Sequence, residues 1–278
     1  MDFKHAARPS PIAGTWYTRN PKQLETEIHA FIDKAVISDD EFSGTLFGVV
    51  APHAGYQYSG RTAGYAYRVV QGLARDIVVI LSPFHQYHGA DLVTTAYDAY
   101  ATPLGTLPVE TDMLAQLNES IPLQQIEHDP EHSLEIQLPF LQCALSNQFS
   151  LLPLMVRTRE RTKLKKIAEN LLALLQGQSF LMVASTDLSH YLPLETAHKM
   201  DAEMLRRIKA MDADAVLAAE GEGAASACGA SSVAVLLYAA KMQMDARAFI
   251  LNYSTSADAS GDTSAVVGYG AAGIYLPG

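Results

Sequence analysis

What constrains this chain most is a set of short apolar runs that do not alternate. Residues 47–51, 77–81, 151–156, 180–184, 249–251 and 265–268 are apolar or glycine at almost every position. A strand with one solvated face shows a two-residue alternation. A strand without it is buried on both faces and needs helices above and below its sheet.

Helical patterns lie between these runs. Residues 21–36 carry Leu24, Ile28, Phe31 and Ile32 at helical spacing behind an Asn20 cap, and residues 162–175 carry Leu164, Ile167, Leu171 and Leu174. Asp129, Pro130 and Glu131 read as an N-cap, a first-position proline and a first-turn acid, opening a helix through Leu138 towards Leu145. Further helices are expected over 60–73, 196–211 and 232–242. Strands alternating with helices predict an α/β fold, with a mainly parallel or mixed central sheet and helices on both faces. The most polar stretch, 33–43, is too short for an interdomain linker and no internal repeat appears, so one domain over 1–278 is expected.

Composition removes several function classes. With 20 Lys+Arg against 30 Asp+Glu the net charge is −10, and no basic stripe offers a nucleic-acid groove. The longest apolar-plus-glycine run, 265–276, falls short of the about 20 residues needed to span a bilayer. The first fifteen residues lack the apolar core of a signal peptide, and two cysteines, Cys143 and Cys228, make no disulfide framework. The expectation is an acidic cytoplasmic protein with neither nucleic-acid nor membrane partners.

In open α/β sheets ligands bind beyond the carboxyl ends of the strands. The first strand is followed by Pro52 and His53, the second by Pro83, Phe84 and His85, and the fourth by Asp187, Ser189 and His190. Three histidines thus converge on one rim, and neutral imidazole is a common transition-metal ligand. Cys228 lies in a small-residue loop at a helix start, where the dipole favours a thiolate nucleophile or ligand. Cys143 fits a buried small residue instead. His132 and Glu135, three apart, are expected to share a helix face, with a capping cluster as the structural alternative.

Other signals fail. Gly268, Gly270 and Gly273 match the dinucleotide glycine pattern, but only five residues follow, so this is a glycine-rich last strand. There is no phosphate-binding Gly-Lys-Ser/Thr loop, nucleophile elbow or paired-cysteine zinc site.

With these residues in view, the chain resembles the Memo family, called AmmeMemoRadiSam system protein B in prokaryotes. Ala13-Gly14-Thr15-Trp16-Tyr17 is similar to the family's AGSWY. Ala51-Pro52-His53-Ala54-Gly55-Tyr56 with Tyr58-Ser59-Gly60 is similar to APHAGY-x-YSG. Leu81-Ser82-Pro83-Phe84-His85 resembles LGPSH, and Thr102-Pro103-Leu104-Gly105 matches TPLG. The segment from Glu131 to Phe140 resembles EHSIE-x-x-LP, Ser185 to Tyr191 resembles SSDFCHW, and Cys228-Gly229 matches the end of ICG. Phe84 departs from the family serine, and Leu188-Ser189 from Phe-Cys.

The resemblance implies a fold like the LigB-type class III extradiol dioxygenases, and a metal pocket of His53, His85 and Cys228 holding Fe(II), with Cu or Zn as alternatives. It implies a non-haem, dioxygenase-like oxidoreductase. His190 would be its general acid/base, Asp187 would orient or back the site, and His132 would bind the substrate or an oxygen intermediate. The alternative is a non-catalytic binding or adaptor protein that keeps the fold and pocket and takes a small-molecule or peptide ligand. The prokaryotic family name further implies radical SAM and AMMECR-type partner proteins.

Overall fold

The computed structural model describes residues 7–37, 44–243 and 245–278. Residues 38–43, most of the polar stretch at 33–43, and the first six of the fifteen leading residues lie outside that set. The helices are α1 (Pro21–Lys34), α2 (Tyr56–Arg68), α3 (Thr111–Ser120), α4 (His132–Glu135), α5 (Leu138–Ala144), α6 (Arg161–Leu174), α7 (Leu194–Lys209), α8 (Ala213–Ala218), α9 (Ala230–Gln243) and α10 (Ala257–Ser260). The strands are β1 (Thr45–Ala51), β2 (Ile77–Ser82), β3 (Leu92–Thr95), β4 (Ala99–Thr102), β5 (Gly105–Pro108), β6 (Gln124–Ile126), β7 (Ser150–Val156), β8 (Phe180–Ser185), β9 (His190–Leu192), β10 (Arg247–Thr255) and β11 (Val266–Leu276).

The main sheet runs β10-β11-β1-β8-β2-β7-β3-β6, with β9 added beside β11. Its centre, β1-β8-β2-β7, is parallel, and its neighbours β11 and β3 join antiparallel. The continuous apolar runs supply this centre: every residue of β2 is buried, as is β1 from Leu46 onward. On one face α2 packs on β1, β10 and β11 beneath α1; on the other α9 covers β1, β2, β7 and β8 under α6 and α8. Helix α9 is buried on every side from Ala230 to Ala240, so it is apolar all round rather than amphipathic. The result is a single α/β domain with a mixed, mostly parallel sheet. Among the described residues no helix is long and apolar enough to cross a membrane.

All six apolar runs fall in main-sheet strands, and the glycine-rich tail is the long strand β11. Asn20 caps α1, accepting from the Gln23 N–H at 3.1 Å. The helix expected from Asp129 is corrected. Two short helices, α4 and α5, replace it, and Glu131 is the cap, accepting from Ser133 N–H. Asp129 is drawn off by Arg8 at 2.7 Å and by the Tyr100 hydroxyl at 3.0 Å.

Candidate metal centre

The central strands deliver the site. In the order β1-β8-β2, Ala51 pairs with Ser185 and Ala184 with Leu81, so three chain segments leave the sheet at one edge. Beyond that edge stand His53, Asp187 and His85. His132 comes from the first turn of α4, which packs against β2.

Among the described residues, the metal-ligating side chains that converge are His53, His85 and His132, whose ligand atoms all lie within 4.8 Å of one another. The His53 ring stands edge-on to the other two, with centroids 5.4 Å from His85 and 5.5 Å from His132. His85 and His132 stack at 4.7 Å.

Glu131 backs the stacked pair. Its Oε1 accepts from the Nδ1–H of His85 at 2.8 Å and lies 3.4 Å from Nδ1 of His132, while Oε2 accepts from the His85 backbone N–H at 2.6 Å. A carboxylate only accepts, so Nδ1 of His85 carries a proton and, in the neutral ring, Nε2 is the bare nitrogen, the state a metal ligand needs. His53 is 2% exposed, with Nδ1 2.9 Å from the Ser185 hydroxyl.

Burial and the neighbouring imidazoles push the pKa of His53 well down. Burial first, then the charge of His85 against the pull of Glu131, brings His132 to about 4. His85 goes the other way: burial opposes its charge, but the hydrogen bond and charge of Glu131 outweigh it and raise the pKa. Burial works against the Glu131 anion too. The hydrogen bonds it accepts from His85 and Ser133 overcome this and hold the carboxyl far below its usual range.

The expected ligand trio was His53, His85 and Cys228; the three ligand atoms that converge within 4.8 Å of one another are those of His53, His85 and His132. Cys228 lies beside the cluster, its Sγ 3.1 Å from Nε2 of His53. Its position two residues before α9 was expected to favour the thiolate. Burial, and then the charge of Asp187, instead push the thiol up to about 12. Gly229 makes the approach feasible, since a Cβ there would lie 2.2 Å from the Ser185 carbonyl oxygen.

Asp187 accepts from the His53 backbone N–H at 2.7 Å, and burial raises its carboxyl to about 7. His190 bonds through Nδ1 to the Leu188 carbonyl at 2.9 Å. It stands near enough that it disfavours the protonation of His53, as His85 disfavours its own. The turn before His190 is seated by buried Asp201, which accepts from Ser189 N–H at 2.9 Å. Gly268 leaves room for that carboxylate, for a Cβ there would meet it at 1.9 Å.

The sequence reading gave no supporting role to Glu131, nor to Gln137 and Ser185, which lie inside the matched motifs, and it did not single out Arg8. Glu131 directly precedes His132, the one local signal that was available. Arg8 is 1% exposed and joins Asp129, Glu135 and the Glu131 carbonyl. Tyr17, at 2.7 Å, and Ser10 also donate to Glu135, so this acid does not accompany His132 into the cluster. The same N-terminal segment lays Trp16 over His132 at 4.2 Å. A cavity of about 470 Å³ opens alongside, lined by Trp16, Ala54, Tyr58, Tyr191 and Tyr269 among others. A larger one, about 960 Å³, lies at the opposite sheet edge, where Ile77 and Ser150 begin β2 and β7, and no histidine lines it.

Comparison with known proteins agrees with this architecture. A family model described as Memo-like protein matches residues 8–273. A MEMO1 family protein of Nitrosopumilus maritimus is 32% identical over 269 residues, covering 95% of this chain and 98% of its own. One from Archaeoglobus fulgidus is 35% identical over 268 residues, covering 95% and 97%. The crystal structure of an uncharacterized Escherichia coli protein superposes with a TM-score of 0.53 at 12% identity, covering 82% of this chain and 99% of that one, which shows a shared fold.

Proposed function

The chain belongs to the Memo-like family, and from that premise we propose that it holds one transition-metal ion on His53, His85 and His132 for a non-haem, dioxygenase-like oxidoreductase reaction, with Fe(II) as the ion. The observation that carries this reading is the convergence of three imidazoles within 4.8 Å, two of them backed by one buried carboxylate. The donor set fits, since imidazole suits iron, copper and zinc, and a carboxylate behind a histidine fixes its ring and strengthens it as a ligand. When bound, Fe(II) would supply redox chemistry with coordination positions left open.

The chain's own groups do the rest. His190 gives its Nδ1–H to the Leu188 carbonyl, so its bare Nε2 is the atom that takes and returns a proton. Burial keeps that ring neutral below the ordinary histidine pKa. Asp187 holds the turn that carries His53. The aromatic cavity receives a small-molecule or peptide ligand, with Trp16 shared between the cavity and His132.

The test is oxygen uptake by the Fe(II)-loaded protein with catechols and other chelating compounds. His190→Ala should keep the metal and lose the uptake it supports. A His190→Ala protein that loses the metal, or turns over as the parent does, would overturn the assignment. A parent chain that takes up no metal would leave the binding-protein reading in its place.

A further inference from the structure

The support behind His53 differs in kind from the one behind His85, because no charge stands there. The Ser185 hydroxyl oxygen has three neighbours: the Ser133 carbonyl at 2.6 Å, Gln137 Nε2 at 2.9 Å and His53 Nδ1 at 2.9 Å. The hydroxyl has one proton to give. The Ser133 carbonyl only accepts, so the proton goes there.

The Gln137 amide is fixed in turn. Its Nε2 also faces the Pro52 carbonyl at 3.0 Å, and its Oε1 accepts from the Tyr67 hydroxyl at 2.7 Å. Turning the amide over would set two carbonyl oxygens against each other at Pro52. Gln137 therefore donates to Ser185, and the remaining lone pair of Ser185 must be met by an N–H of His53. Ser185, Ser133 and Tyr67 are fully buried and Gln137 is 1% exposed, so these groups have only one another to satisfy.

We propose that Ser185 and Gln137, with Tyr67 behind them, are positioning residues that lock His53 in its Nδ1–H tautomer and so present a bare Nε2 to the metal position. His53 and His85 then offer the same nitrogen, one set by a neutral hydroxyl–amide relay and the other by an anion. With Nε2 unprotonated, the proton between it and Cys228 Sγ is the thiol's. This inference rests on the metal reading for its purpose, yet the tautomer can be read without any metal.

The experiment is ¹⁵N spectroscopy of the full metal-free chain with labelled histidine at pH 8, with the His53 signals assigned by loss in His53→Gln. The expected result is a protonated Nδ1 and an unprotonated Nε2, and a protonated Nε2 would overturn the proposal. Zn(II) titration then reads the consequence: Ser185→Ala should bind about 10–100-fold more weakly, with Ser185→Thr recovering most of the loss. A folded Ser185→Ala binding Zn(II) as tightly as the parent would also overturn it. If that variant does not fold, the parent spectrum decides. The expected tautomer in a parent that binds no Zn(II) or Fe(II) would sink the metal reading and leave the relay standing.

Discussion

The two sides of the histidine cluster are built on opposite principles. His53 emerges from a central strand and is held by neutral hydrogen bonds among Ser185, Gln137 and Tyr67. His85 and His132 lean on an anion, Glu131. Its segment is pinned by Arg8, which reaches Asp129 and Glu135 across 121 and 127 positions of chain. The neutral side asks for shape and proton direction. The charged side asks for compensation, since each ion is buried only because its counterpart is. Losing one group should therefore loosen the neutral side but unbalance the charged one.

The largest effect should come from Arg8→Met, which leaves two buried carboxylates without their cation. A loss of about 3–5 kcal/mol in urea unfolding at pH 7 is expected, and one under about 1 kcal/mol would show the charged side to be no more demanding than the neutral one.

Acid should come next. A histidine whose folded pKa is depressed contributes stability that is complete above the ordinary value and is lost as pH falls towards the folded one. For His132, at about 4, that window runs from 6.5 down to 4 and is worth at most roughly 3 kcal/mol in the metal-free chain. Asp187, raised from 3.8 to about 7, acts with the opposite sign over the whole of it. The difference between parent and His132→Gln therefore isolates the imidazole. Thermal melts from pH 8 to 4.5 should show the variant losing less stability on acidification, and parallel curves would refute the assignment.

Glu131→Gln should weaken metal binding about 10–100-fold while the chain stays folded, because an amide holds the His85 ring less firmly than a carboxylate does. Unchanged Zn(II) affinity would remove the anion from the account. The smallest effect is expected from Tyr67→Phe, about 1 kcal/mol in urea unfolding, the scale of one neutral hydrogen bond. A loss equal to that of Arg8→Met would erase the contrast between the two sides.

The same contrast explains what was legible in the sequence. Continuous apolar runs located β1, β2 and β8, and the rule of strand carboxyl ends then found His53, His85, Asp187 and His190. Strands β3 to β6 and β9 have only three or four residues each, too few for a run to stand out. Helix α3 buries only Leu114 and Leu117 and gave equally little signal. The Asp129 segment misled because its cap-like pattern is spoken for by Arg8, a partner no local window contains. Cys228 looked like a ligand from its helix-start position, but in the metal-free chain burial acts against the thiolate that position was expected to favour, and the converging ligand atoms belong to His53, His85 and His132. Ser185 and Gln137 stayed hidden because a buried hydroxyl and a buried amide look in sequence like ordinary core-edge residues.

Anaerobic Fe(II) titration of the parent beside His53→Ala, His85→Ala, His132→Ala and Cys228→Ser decides which side chains hold the ion. One ion per chain in the parent, lost in all three histidine variants and kept in Cys228→Ser, is the predicted result. Retention in His132→Ala with loss in Cys228→Ser would put sulfur, not the third imidazole, in the site and contradict the account.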